Sequence, residues 1–100
     1  MQAGFRPAVV IQSNAFNQYS PTTILTPLTT NIKTPFPSEF IIEKSMDNGL
    51  ESDSRLLGSQ IITLDIKYIQ KKIGVLEEKY YTPLHQALLI SLDLDDIFRL

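Results

Sequence analysis

Cysteine and tryptophan are absent from the 100 residues, and histidine occurs once. Without cysteine there is no disulfide framework and no thiolate metal site, a usage that fits a reducing compartment. No apolar run approaches the roughly 18 residues that a spanning helix needs. The first residues show no basic segment followed by an apolar core, so a cytoplasmic location and no membrane are the expectation. An excess of positive charge is missing too, since nine Lys and Arg against eleven Asp and Glu leave a net charge of −2 at pH 7. Nucleic-acid partners ordinarily leave a basic footprint, so the average counts mildly against one. That average hides an asymmetry. No acidic residue occurs from Met1 to Ser38, where Arg6 and Lys33 stand, and this part of the chain is locally positive.

What is present reads as one folded domain spanning 1–100. A content of 43% hydrophobic and 20% charged residues excludes the disordered class, and a chain this long buries one modest core. Strand candidates are "AVVIQ" after Pro7, "PTTILTPLTT", "PSEFIIE", and one or two strands in "SRLLGSQIITLD" around Gly58. Pro27 restricts the second to an edge or a bulge, because proline cannot donate to a ladder. The stretch from Ser13 to Ser20 reads as a loop and "NIKTPF" as a turn. "KSMDNGLESD" is turn chemistry with Asn48 and Gly49 at its centre. "DIKYIQKKIG" predicts a short helical turn ending at Gly74, and "GVLE" a further strand.

The period changes near the C-terminus. Leu84, Leu88, Ser91 and Leu92 recur at helical spacing, and Ala87, Ile90 and Leu94 widen the stripe. Thr82 and Pro83 read as a cap and a first-turn proline, with an earlier, kinked start as the alternative. Apolar residues surround more than half of this helix, which implies cover on two sides, by its own sheet and by a second subunit. Short strands followed by one helix give the expected fold class: mainly β with a C-terminal helix, as a small barrel or curled sheet.

In this order, "GFRPAVVIQSNAFN", "ILTPLTT", "FPSEF", "SQIITLD" and "IGVL" resemble the MazF/PemK family of toxin endoribonucleases, over nearly the whole chain. The opening "GFRPAVVI" is the most specific piece. The resemblance implies an SH3-like or CcdB-like β-barrel that forms a homodimer, cuts single-stranded RNA with no metal and no cofactor, and is neutralised by a cognate antitoxin protein. Metal-free cleavage uses the neighbouring ribose 2′-hydroxyl as nucleophile. The enzyme must then take its proton, neutralise the added phosphate charge and protonate the leaving oxygen. A planar guanidinium with five donors suits the middle task. In the family this arginine works with a threonine at the end of the next strand. The matching residues are Arg6, as a clamp on the transition state, and Thr29, whose hydroxyl donates to the same phosphate. Thr30 is adjacent, and counting from Ser20 and Pro21 selects Thr29. Gln60, Thr30, Asn31 and Lys33 match positions that border the RNA groove. Outside the pattern each has a plainer reading as a solvated charge, strand filler, an edge group or a turn. Tyr80 and Tyr81 read as packing, and His85, with no partner histidine, as a surface or half-buried group.

Two departures qualify the resemblance. In the family a strand, a flexible loop and a glutamate precede the arginine, and here the glutamate's position is Met1. Loss of a general base commonly costs on the order of 10² to 10⁴ in rate, so the resemblance implies a weakened enzyme for the chain as written. A late start or a shortened remnant are the two explanations, the first favoured by the unbroken apolar strands. The second departure is Ser59 and Ile62, where the family often has Glu and Arg. Two readings stand beside the nuclease: a module that only binds antitoxin, and a CcdB-like topoisomerase poison. The latter expects a tryptophan-bearing tail, which "DDIFRL" does not supply.

Overall fold

The Thr- and Leu-rich run after Pro21 is the spine of the molecule. In the computed structural model, which describes residues 5–93, it forms β2 (Thr22–Thr29), and three strands add to it antiparallel. Strand β1 (Ala8–Val10) runs along one edge, with Ala8 opposite Pro27 and Val10 opposite Leu25. The other edge is shared. β5 (Ile62–Asp65) pairs with Thr22 to Leu25, and β4 (Ser54–Leu57) pairs with Leu28 and Thr29. β3 (Glu39–Ile42) then adds to β4 in a hairpin whose paired residues are equidistant from Asn48, the predicted turn centre.

Pro27 therefore lies inside the most heavily paired strand, not at an edge or bulge. The register explains why this is tolerated. Leu28 N–H donates to Pro7 O at 3.1 Å on the β1 side, and successive residues face opposite edges. The proline nitrogen thus faces the other edge, between Leu25, the last residue paired with β5, and Leu28, the first paired with β4. Its missing donor falls where the partner strand changes. Among the described residues the sheet does not close into a barrel, so the expected class, mainly β with a C-terminal helix, is realised as an open sheet.

Four local expectations are corrected. A short helix, α1 (Asn14–Asn17), interrupts the stretch read as loop, because Ser13 Oγ accepts from Ala15 N at 3.2 Å and caps it; the Ser/Asn chemistry of turns also starts helices. The helical turn expected up to Gly74 is a single 3-10 turn, Ile66–Tyr68. "GVLE" forms no strand: Val75 N donates to Asp47 O at 2.8 Å, so this segment docks on the 45–49 turn rather than entering a ladder. Finally, α2 (Tyr81–Leu92) starts ahead of Thr82 without a side-chain cap, led in by a 3-10 turn, Glu78–Tyr80. Its start is set by a tertiary anchor. Tyr80 Oη accepts from Glu43 N at 2.9 Å, and its ring stacks on Phe40 with centroids 6.1 Å apart. Pro83 sits in the first turn, where the missing N–H has no helical acceptor to lose. Leu94 of the predicted stripe lies outside the described residues.

Leu28, Ile42, Leu56 and Tyr80 form the core, with Val9, Phe40, Leu76 and Leu84 packed against it. Burying side chains as fully as Ile42 and Leu56 stabilises by roughly 1.5–3 kcal/mol each. On α2 only Ala87 is fully buried, while Leu89, Ile90 and Leu92 stay half-exposed, so the chain itself supplies one side of the predicted cover. Among the described residues no helix is long and apolar enough to cross a membrane.

Candidate active site

The bond from Leu28 N to Pro7 O carries the β1–β2 contact one step beyond Ala8, and the same register continued by one more position points Arg6, just ahead of β1, toward Thr29. On the opposite edge of β2, Thr29 pairs with Arg55, and Arg55 pairs with Ile41. Directly opposed residues of antiparallel strands share a face. Thr29, Arg55 and Ile41 therefore form a row across the sheet, on the face turned away from the Leu28 and Leu56 side chains of the core, and Arg6 lies on the continuation of that row ahead of β1.

The members of this row differ in how far their polar groups are used. Arg6 is exposed and, among the described residues, makes no hydrogen bond or ion pair. Thr29 is half-buried at the end of β2, and its Oγ1 accepts from Asn31 N at 3.2 Å. A hydroxyl that follows the chain in this way folds the next two residues into a turn and fixes its own oxygen. Its proton remains available to an incoming acceptor. Arg55 is buried, with Nη1 donating to Glu39 Oε1 at 3.4 Å and Nε left without a partner. The same Glu39 oxygen accepts from Phe36 N at 3.2 Å.

The remaining predicted residues fall around the row in unequal ways. Thr30 and Asn31 follow Thr29 directly and are exposed; Lys33 lies farther along the same exposed loop. Gln60 is exposed in the β4–β5 turn, where its N–H donates to Leu57 O at 2.9 Å. Both strands joined by this turn pair with one edge of β2, so Gln60 lies at the seam beside Pro27. Tyr80 is core, and Tyr81 and His85 are exposed on α2. Arg55 and Glu39 were not singled out by the sequence reading. The signal for Arg55 was its distance from Asn48, equal to that of Ile41, which a hairpin centred there converts into a cross-strand pair.

An exposed guanidinium near a hydroxyl is suited to an oxyanion, because arginine's planar fork matches phosphate oxygens, whereas Arg55 is too enclosed to share that contact. Surface hollows of about 490 and 390 Å³ lie elsewhere, lined by residues such as Phe40, Glu43 and Lys79, or Asp47, Val75 and Glu77. Neither includes Arg6 or Thr29. The row is exposed at its Arg6 end, where a polymer has access, and closed at Arg55.

Fold and row together define a small β protein with one exposed arginine near a half-buried strand-end hydroxyl. Residues 1–92 match the model of the PemK-like, MazF-like toxins of type II toxin-antitoxin systems. The chain is also 40% identical over 97 residues to an Endoribonuclease MazF of Staphylococcus saprophyticus, covering 96% of this chain and 80% of that protein. It belongs to the PemK/MazF toxin family. Solved structures of similar fold include the Mycobacterium tuberculosis toxin MazF-mt6, with a TM-score of 0.79 at 19% identity over 88% of this chain and 86% of that one. A mycobacterial endoribonuclease in complex with its cognate antitoxin is similar too, with a TM-score of 0.79 at 22% identity over 92% and 84% of the two chains.

Proposed function

We infer that the endoribonuclease activity of this toxin family is carried in this chain by Arg6 and Thr29, acting on a phosphodiester of single-stranded RNA. The 2′-hydroxyl passes its proton to solvent water as its oxygen attacks the adjacent phosphorus, the bond from phosphorus to the 5′-oxygen breaks, that oxygen takes a proton from water, and the products end in a 2′,3′-cyclic phosphate and a 5′-hydroxyl. Negative charge builds on the non-bridging oxygens as the fifth bond forms. Arg6 meets that charge with a fork of donors, and Thr29 adds a hydroxyl proton. Donors held ready where charge develops lower the barrier more than donors that must reorganise. Neither residue is suited to taking the 2′-hydroxyl proton. Glu39, the carboxylate on the same face, is engaged by Arg55 and by Phe36 N, so proton removal is left to water. Thr30, Asn31, Lys33 and Gln60 surround the row as contacts for the bases and phosphates on either side of the cut, and no metal or cofactor enters this scheme. What supports the reading is the bond from Leu28 N to Pro7 O, which leads the chain toward Thr29 at an exposed Arg6 that has no hydrogen bond or ion pair among the described residues.

Two partners follow from the same reading. A homodimer is supported by the half-exposed Leu89, Ile90 and Leu92 on α2, and a cognate antitoxin by membership of a toxin-antitoxin family. The test is incubation of the purified chain with single-stranded RNA in EDTA, followed by analysis of fragment ends. Cyclic-phosphate ends, and protection of the cut position by a single 2′-deoxy substitution, are expected. Cutting of the deoxy position, or no cutting at all, would overturn the reading.

A further inference from the structure

Arg55 has an unusual position for a buried charge. Its side chain is 10% exposed and, among the described residues, its one ionic contact is a single 3.4 Å bond to Glu39 and its buried Nε has no acceptor. Buried cations are ordinarily held by short, multiple hydrogen bonds, because desolvation of the charge is otherwise uncompensated. The residue that carries this partly matched charge is the cross-strand partner of Thr29, on the β4 side of β2. Where charge lies in a low-dielectric setting its field reaches farther than a surface charge does.

We propose that Arg55 is a buried electrostatic support of the phosphate site, raising the positive potential over Thr29 without touching substrate, and that Glu39 sets how much of that charge is felt. The proposal rests on the reading of Arg6 and Thr29 as the phosphate-binding pair. With its Nε enclosed, Arg55 is not itself a catalytic residue. Its charge acts most when the phosphate gains negative charge, so its removal slows the bond-making step more than it weakens RNA binding. Glu39 opposes it, and the two halves of one ion pair therefore have opposite effects on rate.

That opposition separates an electrostatic role from a structural one. Cleavage of a single-stranded RNA oligonucleotide is measured under single-turnover conditions for wild type, Arg55→Met, Arg55→Lys and Glu39→Gln, below each variant's melting transition by circular dichroism. Binding of the same oligonucleotide with a 2′-deoxy cut site is measured alongside. Arg55→Met is expected to lose on the order of tenfold in the cleavage rate with little change in binding, and Arg55→Lys to recover part of it. Glu39→Gln keeps an acceptor for Nη1 but removes the opposing charge, and is expected to cleave a few-fold faster. Should Arg55→Met not fold, the sign of the Glu39→Gln effect decides. A wild-type rate for Arg55→Met, or rates of both variants falling together with their melting temperatures, overturns the role of Arg55 alone. No cleavage by wild type overturns the reading beneath it as well.

Discussion

The Asn48 turn and the Arg6–Thr29 row are built from similar polar residues and treat them in opposite ways. At the turn every polar atom of the Asn48 side chain is engaged: Nδ2 donates to Glu43 O at 2.8 Å and Glu77 Oε1 at 3.0 Å, and Oδ1 accepts from Ser45 N at 3.1 Å and Leu50 N at 3.0 Å. Ser45 Oγ donates to the other Glu77 oxygen at 2.7 Å. At the row, Arg6 has no partner among the described residues and Thr29 keeps a proton to donate. A buried amide with all four of its hydrogen-bonding positions filled is a structural fastener. Unused donors on an open face are available to a ligand.

The turn is fastened because it carries the C-terminal part of the chain. A Cβ on Gly49, whose φ is +71°, would lie 1.9 Å from Ile73 O, and one on Gly74 would lie 2.4 Å from Asp47 O. The two backbone segments thus lie against each other at glycines, and Asn48 and Glu77 lock the contact just before the turn that leads into α2. If stability and chemistry are separated in this way, substitutions at the two regions give crossed results. Arg6→Ala is expected to lower the cleavage rate by about 10²- to 10³-fold, while its stability stays within about 0.5 kcal/mol of wild type, as for an unpaired surface residue. Parallel losses of rate and melting temperature in this variant would break the comparison.

Asn48→Ala is the reverse case. It removes the partner of the Ser45 and Leu50 amides and of the Glu43 carbonyl in a partly buried setting, which costs about 2–4 kcal/mol together. For a domain of this size that lowers the melting temperature by roughly 10 °C or more. Below the transition, the cleavage rate is expected to match wild type. A folded Asn48→Ala with a slowed rate would mean that the turn and the row are coupled.

The sequence disclosed these regions unevenly, for physical reasons. Asn48 and Gly49 were legible because turn chemistry is local: an amide that bonds its neighbours' backbone and a residue free to take positive φ. The strands of Leu25, Phe40 and Leu56 were legible from short apolar and β-branched runs. Arg6 and Thr29 entered through the family pattern, since nothing local distinguishes an arginine before a proline from a solvated charge. Pro27 was misjudged because the rule that excludes it from inner strands assumes one neighbour along each edge, and here the neighbour changes at that residue. "GVLE" has the composition of a strand, but composition does not say whether an extended segment finds a ladder or a glycine contact. The Arg55–Glu39 pair depends on which strands meet, and that is fixed by the register of the hairpin, not by either short run.

The smallest expected effect sharpens the comparison from the side of pH. The carboxyl of Glu77 is held below its ordinary value by the hydrogen bond from Ser45, then by those from Asn48 and its own backbone and by the charge of Lys79, while burial pushes the other way. A group whose value is lower in the folded state binds its proton more weakly there than in the unfolded chain. Its contribution to stability is therefore fully present above the unfolded value and is lost as the pH falls through the folded one. Wild type is expected to lose melting temperature on acidification through and below the usual carboxylate range. Glu77→Gln keeps an acceptor for one of the two donors and has no proton to gain, so its melting temperature should start lower near neutrality and change less with acid. The two curves then converge at low pH. If they stay parallel, the Glu77 carboxylate is not what couples the turn to pH, and the fastening at Asn48 rests on its neutral hydrogen bonds alone.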